Sequence, residues 1–196
     1  MFVLQLEMKS MEKQKTIIYL HGYNSSGNTG RTIQRLLGDQ FNVLAPKLPV
    51  DANEAVGIAR KLLAEHPDAI VLGTSLGGFV TLNVYAPIRI AINPTLRPSE
   101  SLPKIGCATE LAETYKFYEG EMRNLVNDKI KGNTFGFFGT KAEVINFKEE
   151  FEQLYFSGHT LSIPGGEHRI KEEELKKYVF PLVNLLSTIY ANSSEE

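Results

Sequence analysis

The stretch Gly73-Thr74-Ser75-Leu76-Gly77 limits what this chain can fold into more than any other. The apolar run Ala69-Ile70-Val71-Leu72 leads into it, and Leu76, Phe79, Val80 and Val84 follow at helical spacing. A buried strand can turn this sharply into a helix only where the two backbones pass without a Cβ between them, which is what glycine at 73 and 77 permits. Ser75 then stands at the tip of a strained turn with its Oγ outward, the Gly-x-Ser-x-Gly arrangement of an acyl-attacking serine. The N–H of Leu76, at the head of the helix, is suited to an oxyanion.

The remaining chain repeats the alternation of strand and helix. Thr16–Leu20, Asn42–Ala45, Ala69–Leu72, Ile88–Ile92, Thr134–Gly139 and Thr160–Ile163 read as six strands. Between them lie apolar helical faces: Ile33, Leu36 and Leu37; then Ala55, Val56, Ala59, Leu62 and Leu63, opened by a cap at Asp51 and stopped at Pro67. Another face at Leu175, Tyr178, Val179, Leu182, Val183 and Leu186 closes the chain, and Pro181 is expected to kink or split it. This alternation predicts one α/β domain over 1–196. Its architecture is a doubly wound, mostly parallel six-stranded sheet in the order 2-1-3-4-5-6. The glycine-rich loops after the first and third strands then lie side by side at the carboxyl edge, where such sheets bind ligands.

Residues 95–133 carry no strand signal and exceed what a connection needs. Leu111, Tyr115, Tyr118, Met122 and Leu125 share a helical face there. The expectation is a small helical cap over the site; packing of that face into the core is the alternative. Residues 1–11 and 191–196 are expected to be disordered, and the first ten lack the basic start and long apolar core of a signal peptide.

A serine hydroxyl needs a base. Of four histidines, His66 and His159 sit where structural roles suffice, at a helix end and a strand start. His168 follows the last strand in Gly165-Gly166-Glu167-His168, matching the chain order nucleophile, acid, histidine. His21 is expected to order the loop His21-Gly22-Tyr23-Asn24, whose Tyr23 N–H would join that of Leu76 in an oxyanion hole. That loop, with its strand and helix, would also suit a nucleotide, but Gly30-Arg31-Thr32 lacks the lysine and spacing of a phosphate loop. No histidine pair or cysteine pair has metal-ligand spacing, so neither metal nor cofactor is expected. The net charge of −2 gives no footprint for nucleic acid or a membrane surface, and no apolar run approaches the roughly 18 residues of a span. Cys107, the only cysteine, excludes an internal disulfide and fits a reducing compartment, so a cytoplasmic protein acting on a small molecule is expected.

At these residues the chain resembles the α/β-hydrolases, and among them the small bacterial esterases of the YqiA/YcfP type. The resemblance is carried by Ile18 to Ser26, Gly73 to Gly78, Ile92-Asn93-Pro94-Thr95-Leu96-Arg97-Pro98 and Gly165 to His168. It implies a compact hydrolase without a large lid, cleaving short acyl esters or thioesters. His21, Gly22, Asn24 and Arg97 would then lie on the substrate side, with Arg97 either holding an acidic substrate group or bracing the cap. Such proteins usually carry Gly-Asp-Glu-Val after the penultimate strand, where this chain has Lys141-Ala142-Glu143-Val144. Either Glu143 serves as the acid from a shifted loop or the triad is incomplete; Glu100 is a more distant candidate. The expected activity is ester or thioester cleavage by Ser75, His168 and Glu143. A binding module that keeps the pocket, or an acyltransferase using the same serine, are the alternatives.

Overall fold

The computed structural model describes residues 14–142 and 146–192. Six parallel strands form one sheet in the order β2-β1-β3-β4-β5-β6, as the alternation of elements predicts. They are β1 (Thr16–Leu20), β2 (Asn42–Leu44), β3 (Ile70–Thr74), β4 (Ile88–Ile92), β5 (Thr134–Gly139) and β6 (Thr160–Ile163). The strands are apolar on both faces because both faces are covered. Ile17, Tyr19, Ile70, Leu72, Ile90 and Ile92 pack under α1 (Asn28–Leu37) and the C-terminal helices. Ile18, Leu20, Val71 and Ala91 pack against α2 (Ala52–Glu65) and α3 (Leu76–Leu82). Asp51 caps α2, accepting hydrogen bonds from the N–H groups of Asn53 and Glu54.

Between β4 and β5 the chain forms short helices: α4 (Pro98–Ser101), a 3₁₀ turn (Pro103–Ile105), α5 (Thr109–Glu113), α6 (Lys116–Asn124) and α7 (Asp128–Gly132). The aromatic stripe of this segment faces inward. Tyr115, Tyr118 and Met122 join the core beneath α2 and α3, Tyr115 meeting Phe79 edge-on at 5.7 Å between ring centres. Leu111, at the end of the stripe, is exposed. Helix α6 runs through Gly120 without a break.

Arg89 interrupts the apolar run of β4 and is fully buried. Its guanidinium donates to the carbonyls of Leu82, Val84 and Ile130, so it closes the carboxyl ends of α3 and α7 from within the core. Burial lowers its pKa, opposed in part by the nearby Tyr155.

After β5, α8 (Lys148–Leu154) returns the chain to β6. The closing run comprises α9 (Glu172–Glu174), a π-helical turn (Leu175–Val179) and α10 (Phe180–Asn192). Pro181 therefore does not split the helix. The wider π turn just ahead, in which Phe180 N–H reaches Leu175 O, relieves the clash a proline makes with the preceding turn. Of the terminal segments expected to be disordered, residues 1–11 and 193–196 lie outside the described residues, whereas 191 and 192 belong to α10.

Candidate active site

Ser75 occupies the N-cap of α3 with φ 53° and ψ −115°, a conformation that side-chain-bearing residues seldom adopt. Backbone contacts hold it there. Ser75 N–H donates to Ile92 O at 2.9 Å, and its carbonyl accepts from Phe79 N–H at 3.1 Å and Thr95 N–H at 3.3 Å. The flanking glycines are sterically required. A Cβ on Gly73 would lie 2.2 Å from Gly77 O, and one on Gly77 would lie 2.0 Å from Leu20 O. Gly22 brings the loop after β1 against the same serine, since a Cβ there would stand 3.1 Å from that of Ser75.

His168, on the loop after β6, places Nε2 2.9 Å from Ser75 Oγ. The two residues are 93 positions apart in sequence. The loop that carries the histidine is tied down from two sides. Gly139, at the end of β5, is packed so closely that a Cβ would meet Gly166 O at 2.5 Å, and Lys141 N–H donates to Gly166 O at 2.8 Å. The second tie is Asn93. Its Nδ2 donates to the carbonyls of Glu167 at 3.1 Å and His168 at 2.9 Å, while its Oδ1 accepts from Gly139 N–H at 2.8 Å. Asn93 is 2% exposed and has φ 42°, a left-handed conformation that asparagine tolerates better than most residues. One side chain thus fastens the ends of β4 and β5 to the histidine loop.

Beside Ser75 and His168 opens a cavity of about 270 Å³. Its wall includes Tyr19, Gly22, Tyr23, Thr29, Thr74 and Arg169. Tyr19 hydroxyl and Thr74 Oγ1 are hydrogen-bonded at 2.9 Å on one side, and burial holds the Tyr19 phenol above its ordinary pKa. Tyr23 packs against the core and its hydroxyl reaches the buried Cys107.

Of the four residues expected on the substrate side, only Gly22 lines this cavity. Both ring nitrogens of His21 are engaged: Nε2 accepts from Leu48 N–H at 2.9 Å, and Nδ1 lies 2.8 Å from Gly22 O. That pairing sets Nδ1 as the protonated nitrogen and makes His21 a strut of its loop. Asn24 is an exposed turn residue with φ 50°. Arg97 is bound to Glu150 at 3.0 Å, and Arg123 meets the same carboxylate at 2.6 Å. Arg97 thereby ties α8 to the helical excursion. Glu100 lies 3.9 Å from Arg97, in that same cluster. Ile105 is the cavity's contact with the excursion over 95–133. His66 and His159 contact Thr16 and Lys131 O, each at 3.3 Å, as structural residues would. Glu143 lies outside the described residues. Among the described residues no His, Cys, Asp and Glu cluster suited to a metal occurs, and no helix is long and apolar enough to cross a membrane.

Sequence reasoning missed two residues of this site. Asn93 belongs to a noticed Asn-Pro segment, and its position at the carboxyl end of β4 was the available signal. Arg169 directly follows the candidate base, and only the cavity draws notice to it.

Comparison with known proteins places this geometry in context. A family model described as "Uncharacterised protein family (UPF0227)" matches residues 16–186. No curated protein matches the chain. Among solved structures, the chain is similar to one from a study of LipS and LipT, two metagenome-derived lipolytic enzymes. The identity is 13%, the coverage 92% of this chain and 94% of that one, and the TM-score 0.65. An esterase from Thermogutta terrifontis is 12% identical over 90% and 91% of the two chains, with TM-score 0.57. The thioesterase domain of the curacin biosynthetic pathway is 10% identical over 88% and 91%, with TM-score 0.59. At these identities the likeness establishes the α/β-hydrolase fold.

Proposed function

The chain belongs to the UPF0227 family, and on that premise we propose that it is a serine hydrolase cleaving carboxylic ester or thioester bonds. The observation that carries the proposal is the 2.9 Å contact between Ser75 Oγ, strained at the head of α3, and His168 Nε2. A histidine at that distance can take the hydroxyl proton as Oγ attacks the acyl carbon. The carbonyl electrons move onto oxygen, where the first N–H of α3, at Leu76, and that of Tyr23 stabilise them. The leading N–H groups of a helix have no partner within it, so Leu76 can offer its own. Collapse of the tetrahedral adduct expels the alcohol or thiol, which takes the proton from His168. Water then repeats the sequence on the acyl-serine and releases the acid.

Glu143 is proposed as the carboxylate that orients the imidazole. Thr140 and Lys141 are hydrogen-bonded to the loop that leads to His168, and Glu143 is the first carboxylate that follows them in the sequence. The rest of the chain's part is positional: Asn93 and Gly139 hold the histidine loop, and His21 and Gly22 hold the loop of Tyr23.

The test is labelling with a fluorophosphonate probe, alongside turnover of 4-nitrophenyl butyrate. The wild-type protein should be labelled at Ser75. Ser75→Ala and His168→Ala should each lower kcat by roughly 10³ or more, and the double variant should be little worse, because the two act as a unit. Wild-type turnover by Ser75→Ala would overturn the assignment.

A further inference from the structure

The wall of the cavity beside Ser75 is unlike an acyl-chain tunnel. Ile105, Ile170, Tyr19 and Tyr23 give it short apolar stretches, whereas hydroxyls and amides come from Ser25, Ser26, Asn28 and Thr29. Among the described residues no acidic side chain lines it. Arg169 does, one residue past His168, and it is exposed with no ion pair or hydrogen bond among the described residues. This is unusual in the molecule. Arg35 meets Glu172, Arg97 and Arg123 share Glu150, and the neighbouring Glu167 is taken up by Lys171 at 3.2 Å. Behind the lining residues Ser26 and Asn28, Arg31 is held by Ser26 O and the Asn28 side chain, without a carboxylate among its described partners. Helix α1 begins there with no acidic residue in its first turn, so its positive end adds to the same field. A hydroxyl-lined pocket with an unneutralised cation in its wall is poor for a fatty acyl chain, since desolvating the polar wall has no compensation. It is well suited to a ligand that brings its own negative charge.

We propose that the substrate of this site carries a compact anionic group, a carboxylate or a phosphate, held by Arg169 while its ester or thioester carbonyl lies at Ser75. The inference rests on the hydrolase reading for the placement of the carbonyl, but the anion site can be measured without chemistry. Planar guanidinium favours such oxygens because it offers two parallel donors to them.

The experiment compares two esters of equal chain length, mono-4-nitrophenyl adipate and 4-nitrophenyl hexanoate. A third, the hexanoyl ester of 4-hydroxybenzoate, carries its charge on the leaving group. At low ionic strength, at least one anionic ester should show kcat/KM about tenfold or more above the neutral one, the scale of a charge-assisted hydrogen bond. Arg169→Gln should bring that ratio near one, Arg169→Lys should retain part of it, and 0.5 M salt should shrink it by screening. Which ester gains tells whether the anion lies on the acyl or the alcohol side. In parallel, calorimetry measures binding of adipate and of inorganic phosphate to Ser75→Ala, with and without Arg169→Gln. The stronger binder identifies the source as carboxylate or phosphate.

If the neutral ester is turned over at least as well as both anionic ones by a Ser75-dependent reaction, the anion inference is wrong and the hydrolase reading stands. If no ester is hydrolysed in a Ser75-dependent way, the hydrolase reading fails. Binding then decides the anion site alone: Arg169-dependent binding of either anion supports it, and none overturns it.

Discussion

Asn93→Asp is the most informative single change. It preserves size, the left-handed backbone preference and the acceptor for Gly139 N–H at 2.8 Å. It replaces the donor that faces the carbonyls of Glu167 and His168 with an acidic oxygen. Two part-buried carbonyls then lose their partner and face partial negative charge. At roughly 1–3 kcal/mol for each buried polar group left unsatisfied, with some recovery by relaxation, the loss is about 2–4 kcal/mol. For a chain of this size that lowers Tm by about 4–15 °C. The relief available to the protein is to swing the 165–168 loop away from β4, which moves Nε2 from Ser75 Oγ. A misplacement near 1 Å costs on the order of a hundredfold in rate. The assay is thermal unfolding by circular dichroism together with steady-state hydrolysis of 4-nitrophenyl butyrate below the new Tm. The expected result is a folded enzyme with kcat down roughly a hundredfold and KM within a few-fold of wild type. Wild-type Tm together with wild-type kcat would refute the argument, because it would mean that the two hydrogen bonds donated by Asn93 neither stabilise the loop nor aim the histidine.

Two further outcomes follow. Glu143→Gln should reduce kcat at least roughly a hundredfold with little change in Tm, since an amide cannot stabilise the imidazolium as a carboxylate does; full activity in this variant would remove Glu143 from the mechanism. Tyr118→Ala should cost roughly 3–5 kcal/mol in chemical denaturation, as expected for a buried aromatic whose hydroxyl also donates to Asn53 Oδ1, and leave preference among acyl chain lengths unchanged; a changed preference without loss of stability would restore that face to the substrate pocket.

Strands and the serine turn were legible because their signals are local. Apolar runs bounded by glycine, asparagine and proline mark β1 and β3 to β6 almost to the residue, and the parallel order follows from alternation with helices. The boundary of β2, shorter by Ala45, and the fate of Pro181 were less legible, because they depend on pairing with β1 and on a π turn that no local preference announces. Of the helical stripe over 111–125, Tyr115, Tyr118 and Met122 share a buried face while Leu111 lies exposed on a separate helix, and a periodicity does not name what a face meets. In the folded chain Phe79 and α2 compete for it, and the core wins because it offers Tyr115 and Met122 complete burial.

By itself the sequence determined the layered sheet, the glycine-enforced turn at Ser75 and the candidacy of His168. Those features follow from sterics and periodicity within a dozen residues. Tertiary structure alone decided which polar groups meet across 74, 75 and 93 positions: Asn93 with Glu167 O and His168 O, and His168 with Ser75. It also decided that Arg97 spends its charge on Glu150 while Arg169 keeps its own. A charged side chain carries the same letter in either case. Its partner is chosen by which strand ends and loops the sheet brings together, and electrostatic energy depends on that distance rather than on order along the chain.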